Sequence, residues 1–345
     1  MIIVMEPLAS EEQIQSVVKR LEHYGFRIIL NRGDVMTVVA AIGDKRLVQT
    51  ESIASMPGVR QILPIREPYK LAGREAQPDD TAIDLGNGTL IGGNNPVVFM
   101  AGPCSVEDNL EGLLKVARAV KAAGAQVLRG GAFKPRTSPY EFQGLEETGL
   151  KYLASAREET GLLVATEVMD SLDVELVADY ADILQIGARN MQNFKLLKAV
   201  GKINKPVLLK RGMSANIREF LLAAEHIMYQ GNQNVILCER GIKAYDSNFT
   251  RNTLDLAAIP VIKKYSHLPI IADPSHGTGR RYLVPPMSKA ALAAGADGLM
   301  IEVHHDPDHA YSDGAQSLTI DEFNTMIKDL QKLIDLVRPV NVAQK

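Results

Sequence analysis

The spacing of apolar side chains gives the chain two rhythms. Residues 1–5 are an apolar run that predicts a strand. Ser10 then stands as a helix cap, with Gln13 three residues on as in a capping box. Ile14, Val17, Val18 and Leu21 recur at helical spacing, and Gly25 ends that helix. A second strand is expected over Phe26–Leu30, a turn over Asn31-Arg32-Gly33-Asp34, and a third strand over Val35–Ile42. A helix over 46–56 stops at Pro57-Gly58, and Val59–Ile65 reads as a fourth strand. The order βαββαβ is ferredoxin-like and is assigned to residues 1–70. Small amino-acid-binding regulatory domains share it, and so do plain packing or oligomerisation modules.

Residues 66–80 are charged and hold Pro68, Gly73 and Pro78, which reads as a linker. Asn87-Gly88 between apolar residues predicts a hairpin over 83–91, able to plug one end of the next domain. Linker and hairpin together place 71–95 between the two domains. From about residue 96 short β-rich runs alternate with helical stretches. The strands expected are Val97–Ala101, Gln126–Arg129, Leu162–Thr166, Ile183–Ile186, Val207–Leu209, Val235–Leu237, Ile270–Ala272 and Leu299–Ile301. Helical stretches include Leu110–Ala122, Leu145–Glu158, Ile217–Tyr229 and Leu254–Lys264, with a last helix over Asp321–Val337. Eight βα units in about 245 residues fit a closed (β/α)8 TIM barrel over 96–340. A doubly wound open sheet is the alternative, but the first strand leads into no GxGxxG turn. The fold class is α/β, a barrel behind a small ferredoxin-like domain.

Composition narrows the function classes. The chain has 345 residues, 46% hydrophobic and 23% charged, which excludes disordered, collagen-like and disulfide-scaffold classes. Net charge is −3, too balanced for a dedicated nucleic-acid or membrane-surface protein. No run approaches the ~18 apolar residues of a membrane span. The first residues carry no basic stretch typical of targeting peptides. With two cysteines, Cys104 and Cys238, a cytoplasmic location is expected.

In a barrel the active site lies at the strand C-termini, and there the unusual residues fall. Gly102-Pro103-Cys104-Ser105 follows the first strand, and Arg129-Gly130-Gly131 with Lys134-Pro135-Arg136-Thr137-Ser138 stands at the end of the second. Glu167 ends the third. Next come Gly187-Ala188-Arg189-Asn190, Lys210-Arg211-Gly212, Cys238-Glu239-Arg240-Gly241 and Asp273-Pro274-Ser275-His276-Gly277. The eighth gives Glu302-Val303-His304, then Asp313-Gly314. Arg129, Lys134, Arg136, Arg189, Lys210 and Arg240 would repel one another at one mouth unless anions bound there, so the substrates implied are small phosphorylated sugars or carboxylates. Alternatively each cation pairs with a barrel carboxylate such as Glu167 or Glu239. Cys104, His276, Glu302 and Asp313 can converge as a mixed S/N/O metal set suited to Mn, Fe, Co or Zn. His304, His305 and His309 are rival ligands, and Cys238 reads as core.

The strings Ala101-Gly102-Pro103-Cys104-Ser105, Leu128-Arg129-Gly130-Gly131-Ala132-Phe133-Lys134-Pro135-Arg136-Thr137-Ser138-Pro139, Gln185-Ile186-Gly187-Ala188-Arg189-Asn190, Leu209-Lys210-Arg211-Gly212, Cys238-Glu239-Arg240-Gly241 and Asp273-Pro274-Ser275-His276 resemble 3-deoxy-arabino-heptulosonate 7-phosphate (DAHP) synthase. The N-terminal unit is similar to that of the microbial subgroup with such an extension. The resemblance implies condensation of phosphoenolpyruvate with erythrose 4-phosphate, the first step of the shikimate pathway. It implies that Arg129, Lys134, Arg189, Lys210 and Arg240 hold phosphoenolpyruvate, with Glu167 and Glu239 bordering that pocket. Lys134, Arg136 and Thr137 would position erythrose 4-phosphate. Cys104, His276, Glu302 and Asp313 would bind a divalent metal, and some siblings that work without metal carry Asn at the position of Cys104. Lys134, His276 and Cys104 form the expected catalytic set, with Lys134, His276 and a metal-bound water as candidate proton donors. A tyrosine or phenylalanine effector on the N-terminal unit, around Arg27–Asp34, and a homotetramer are further implications.

The sibling 3-deoxy-octulosonate 8-phosphate synthase, which uses arabinose 5-phosphate, typically carries Asn-Arg-Ser-Ser where this chain has Lys134-Pro135-Arg136-Thr137-Ser138. Other readings are a metal-dependent aldolase acting without phosphoenolpyruvate, and an amino-acid sensor with an inactive barrel.

Overall fold

The computed structural model describes residues 1–33, 36–43, 48–63, 68–136 and 138–337. Thr137 and parts of the expected 31–34 turn, third strand, 46–56 helix, fourth strand and 66–80 linker lie outside the described residues. The chain forms two compact units, Met1–Asp80 with Lys264–His267, and Thr81–Lys263 with Leu268–Lys345.

The first unit runs β1 (Ile2–Met5), α1 (Glu11–His23), β2 (Arg27–Arg32), β3 (Thr37–Ile42), α2 (Thr50–Ala54) and β4 (Val59–Leu63). Ser10 caps α1 in a full capping box with Gln13. The sheet order is β2-β3-β1-β4, antiparallel throughout, as a ferredoxin-like unit requires. Ile14, Val17 and Leu21 of α1 and Ile53 of α2 pack with Ile3, Met5, Val39 and Ala41 of the sheet.

The second unit opens with the hairpin β5 (Ile83–Gly86) and β6 (Thr89–Ile91), turned at Asn87 with φ 51°. Eight parallel strands come next: β7 (Val98–Gly102), β8 (Val127–Arg129), β9 (Leu163–Glu167), β10 (Ile183–Ile186), β11 (Val207–Lys210), β12 (Val235–Glu239), β13 (Ile270–Ala272) and β14 (Gly298–Glu302). They close into a barrel in chain order, β14 pairing back to β7. Ile83, Leu85 and Ile91 of the hairpin cluster with inward residues such as Met100, Leu163, Ile236, Cys238 and Met300. The hairpin therefore does plug the barrel, and Cys238 is core.

The helices between the strands are α3 (Leu110–Ala122), α4 (Glu146–Thr160), α5 (Val174–Tyr180), α6 (Phe194–Val200), α7 (Ile217–Met228), α8 (Ala258–Tyr265), α9 (Pro274–Thr278) and α10 (Val284–Ala293), with α11 (Ile320–Val337) after the last strand. The expected start of α8 at Leu254 is four residues too early. Pro260 is tolerated only within a helix's first turn, so the helix begins at Ala258. Among the described residues no helix is long and apolar enough to cross a membrane.

Candidate active site

Arg129 closes β8, as its apolar run predicts. Four other charged residues, expected just past their strands, lie within them: Glu167 closes β9, Lys210 β11, Glu239 β12 and Glu302 β14. Parallel pairing carries each polar side chain to the C-terminal rim of the barrel. Arg240 comes one residue later, Arg189 sits in the short 3-10 turn Ala188–Asn190 after β10, and His276 lies in α9 after β13.

One cavity at this rim is lined by Arg129, Lys134, Arg136, Glu167, Arg189, Lys210, Arg240, His276 and Asp313. Some of its cations have internal partners: Arg129 Nη1 lies 3.0 Å from Glu302 Oε1, and Lys210 Nζ donates to Asp273 Oδ2. Others do not. Among the described residues Lys134, Arg189 and Arg240 form no ion pair with a carboxylate, and Arg136 only reaches Glu141 at 3.9 Å. The buried atoms Arg129 Nε and Arg136 Nη2 have no hydrogen-bond partner among the described residues. A buried donor without an acceptor costs about 1–3 kcal/mol, more when charged. An anionic ligand is the natural acceptor for both.

Glu167 borders the cavity and accepts from Gln185 Nε2 at 3.2 Å. It lies so close to Gly187 that a Cβ there would sit 2.0 Å from Glu167 Oε1. Glu239 differs from expectation: it is fully buried and does not line the cavity. Arg211, just past neighbouring β11, donates to its Oε2 at 2.8 Å, and the Gly241 amide donates to Oε1 at 2.6 Å. Arg211 also binds Asp255, so the pair is internal scaffolding. Burial raises the Glu239 carboxyl above its ordinary value.

Beside the cations, ligand atoms of Cys104, His276, Glu302 and Asp313 all lie within 4.8 Å of one another. Asp273 accepts from His276 Nδ1 at 2.7 Å, which puts the ring proton on Nδ1 and the lone pair on Nε2. Nε2 then faces Glu302 Oε1 at 3.3 Å and Asp313 Oδ2 at 3.9 Å, acceptor against acceptor. Cys104 Sγ lies 3.3 Å from Asp313 Oδ2. Such a convergence of acceptors fits a cation among them. Burial lowers His276, and burial with the nearby Glu302 charge raises the Cys104 thiol. Burial opposes ionisation of Asp313, yet His276 and Arg251 hold it at about 2. Asp273 is likewise held well below its ordinary value against burial, by His276 and Lys210.

The rival histidines stay outside this cluster. His304 Nε2 faces Glu107 at 3.3 Å, and His309 is exposed beside Asp306. Sequence reasoning gives no role to Asp273, Arg251 or Gln316. Asp273 does carry a signal, three residues before His276 and right after a strand. The other two lie in long loops with none.

Fold and site together define a class: a (β/α)8-barrel enzyme with a cationic pocket beside a four-residue, metal-competent cluster. Comparison with known proteins narrows this. The DAHP synthetase I family matches residues 80–338, and the DAHP synthase ferredoxin-like domain matches residues 1–67. The chain belongs to the DAHP synthetase I family and is a transferase. It is 50% identical over 335 residues to a phospho-2-dehydro-3-deoxyheptonate aldolase of Thermotoga maritima, covering 97% of this chain and 98% of that one. A crystal structure of that Thermotoga maritima enzyme superposes with TM-score 0.77 at 49% identity, covering 98% of both chains. A 2-dehydro-3-deoxyphosphooctonate aldolase of Syntrophotalea carbinolica is 34% identical over 262 residues, 72% of this chain and 94% of that one.

Proposed function

We propose that the protein condenses phosphoenolpyruvate with erythrose 4-phosphate to give DAHP and inorganic phosphate, with a divalent metal at Cys104, His276, Glu302 and Asp313. The observation that carries this reading is the run of unpaired cations on the wall facing the ligand cluster. The ion, when bound, supplies Lewis-acid polarisation of the aldehyde. Arg189, Arg240, Lys210 and Arg129 hold the phosphate and carboxylate of phosphoenolpyruvate, matching charge that would otherwise repel a second polyanion. Arg136 and Thr137, with Lys134, hold the sugar phosphate and bring C1 of the aldose to C3 of the enol phosphate. Carbon–carbon bond formation leaves cationic character at C2 of phosphoenolpyruvate. Water adds there, and the resulting hemiketal phosphate expels phosphate into the guanidinium-lined wall. Lys134 Nζ, 3.1 Å from Cys104 Sγ, is the candidate proton donor to the new alkoxide, since the His276 ring proton is held by Asp273.

The test follows phosphoenolpyruvate absorbance and phosphate release with erythrose 4-phosphate, arabinose 5-phosphate or ribose 5-phosphate. Rapid consumption with erythrose 4-phosphate alone supports the proposal. A preference for arabinose 5-phosphate would move the chain to the octulosonate reaction.

The proposal includes feedback inhibition by tyrosine or phenylalanine through the N-terminal unit. A cavity of about 320 Å3 there supports it, lined by Asn31, Arg32, Gly33, Met36, Val38, Gln77, Pro78 and Asp79. Asp79 offers a negative charge to an amino acid's ammonium, Arg32, paired with Glu11 at 2.7 Å, a guanidinium at the rim, and Met36 and Val38 an apolar wall. Inhibition needs different effector affinity in two states. Removing residues 1–70 should abolish inhibition and keep catalysis; equal inhibition of the truncated enzyme would exclude this regulatory role.

A further inference from the structure

Two residues without a role so far, Gln316 and Arg251, meet beside the ligand cluster, and Arg251 also lines the cavity. Gln316 is buried, and its amide lies between a carboxylate and a guanidinium. Nε2 is 2.6 Å from Glu302 Oε2, and Oε1 is 2.9 Å from Arg251 Nη1. The orientation of this amide is fixed by chemistry, because a guanidinium only donates and a carboxylate only accepts. Arg251 Nη1 also reaches Asp313 Oδ1 at 3.1 Å. One chain of contacts, Glu302–Gln316–Arg251–Asp313, therefore ties the two carboxylates together by their outer oxygens. Their inner oxygens, Glu302 Oε1 and Asp313 Oδ2, are the ones that face His276 and Cys104, and Glu302 Oε1 also accepts from Arg129 Nη1.

The backbone sets this up. Asp313 takes φ 55°, a left-handed conformation uncommon for a non-glycine residue, and caps the 3-10 turn Gly314–Gln316. The Gln316 backbone amide donates to Asp313 O at 3.1 Å, which keeps the two residues together. The chain then returns to the end of β14, where the Leu318 amide donates to Glu302 O at 2.8 Å, so Gln316 meets the side chain of Glu302. Arg251 is pinned from the other side. Its amide donates to Thr278 O at 2.8 Å, and a Cβ on Gly279, at φ 68°, would lie 2.4 Å from Arg251 Cβ. Only glycine lets the loop with Arg251 lie so close to the helix that carries His276.

We propose that Gln316 and Arg251 are positioning residues that hold Glu302 and Asp313 with one oxygen each presented to a divalent ion, and so set the affinity of the site. The inference rests on reading the four-residue cluster as a metal site. Outer partners of metal ligands are typically worth 10–100-fold in metal affinity.

The test uses the full-length protein stripped of metal. Manganese affinity is measured by calorimetry, and the cobalt form is followed by its visible spectrum. The variants are Gln316→Glu, which turns an acceptor toward Glu302, Gln316→Leu, which removes both contacts, and Arg251→Gln, at a partly exposed side chain. The expected result is a roughly 10–100-fold weaker manganese constant and an altered cobalt spectrum, while the melting temperature of the stripped protein stays near that of the parent. If a Gln316 variant does not fold, Arg251→Gln alone decides. Wild-type affinity in a folded variant overturns the positioning role and leaves the metal reading standing. A parent protein that binds no ion at the cluster overturns both.

Discussion

On the side of the mouth formed by β13 and β14, the carboxylates of the ligand cluster have their outer oxygens already matched. Gln316 holds Glu302, Arg251 holds Asp313, and Asp273 orients His276. Around the rest of the mouth, from β8 to β12, Lys134, Arg189 and Arg240 meet no carboxylate among the described residues. The first wall fixes its geometry by itself and needs a cation to relieve facing acceptors. The second holds charge that only an anionic ligand can match. Preorganised charge of this kind costs stability in the free protein and acts on the reaction without rearrangement. Arg189 and Arg211 show the contrast at the ends of neighbouring strands. Arg211, at the end of β11, is tied to Glu239 and Asp255, whereas Arg189, after neighbouring β10, lines the cavity.

The largest effect should come from emptying the first wall. Stripping divalent metal with a chelator should lower turnover roughly a thousandfold, since Lewis-acid stabilisation is worth several kcal/mol. Manganese should restore it. Full turnover in a verified metal-free preparation would break the contrast.

The two arginines separate the walls next. Arg211→Ala strands the buried Glu239 and should cost about 3–5 kcal/mol in denaturant unfolding. Arg189→Ala should leave stability unchanged and raise KM for phosphoenolpyruvate about a hundredfold, as lost charged hydrogen bonds do. An unchanged KM would make Arg189 a structural residue.

Asp273→Asn is a subtler probe of the ligand side. It keeps shape but removes the charge that fixes the His276 tautomer and accepts from Lys210. Metal affinity should fall about tenfold or more, measured by competition with a chromophoric chelator. Equal affinity would show that Asp273 serves the fold and not the site.

The smallest effect is a pH dependence confined to the ligand wall. Asp313 is depressed from 3.8 to about 2 in the folded protein. A depressed carboxyl stabilises the fold above its unfolded value, and that stability is lost as pH falls toward the folded value. The metal-free parent should lose about 1 kcal/mol at pH 3 relative to Asp313→Asn, referenced to pH 6. Parallel acid limbs for the two proteins in urea unfolding would contradict this.

Much of this contrast is legible in the sequence. Apolar runs of three to five residues, each leading to a charged or reactive group, mark the strand ends around the barrel. They also gather both the cationic set and the ligand set. What escapes is instructive. Ending a strand at its last apolar residue leaves Glu167, Lys210, Glu239 and Glu302 outside, yet all four are still within their strands. In a parallel sheet the neighbouring ladder, and not side-chain polarity, decides where pairing stops. Glu239 and Arg240 stand side by side in the chain but face different surroundings, since alternate strand residues point to opposite sides. Gln316 and Arg251 are invisible because their partners come from loops far apart in sequence. Charge totals mislead in another way. Residues 1–70 hold nine Lys+Arg against eight Asp+Glu, and the rest 29 against 33. The unit that gathers the cations is thus the more acidic one, and placement, not sum, carries the chemistry.

One cavity should hold a cation on its β13–β14 side and phosphoenolpyruvate on the other. An anomalous difference map from crystals grown with manganese and phosphoenolpyruvate tests it most directly. A single strong peak is expected among Cys104, His276, Glu302 and Asp313, with the phosphate of phosphoenolpyruvate bound by Arg189 and Arg240. A peak at Glu107 and His304 instead, or phosphoenolpyruvate bound away from those arginines, would contradict it.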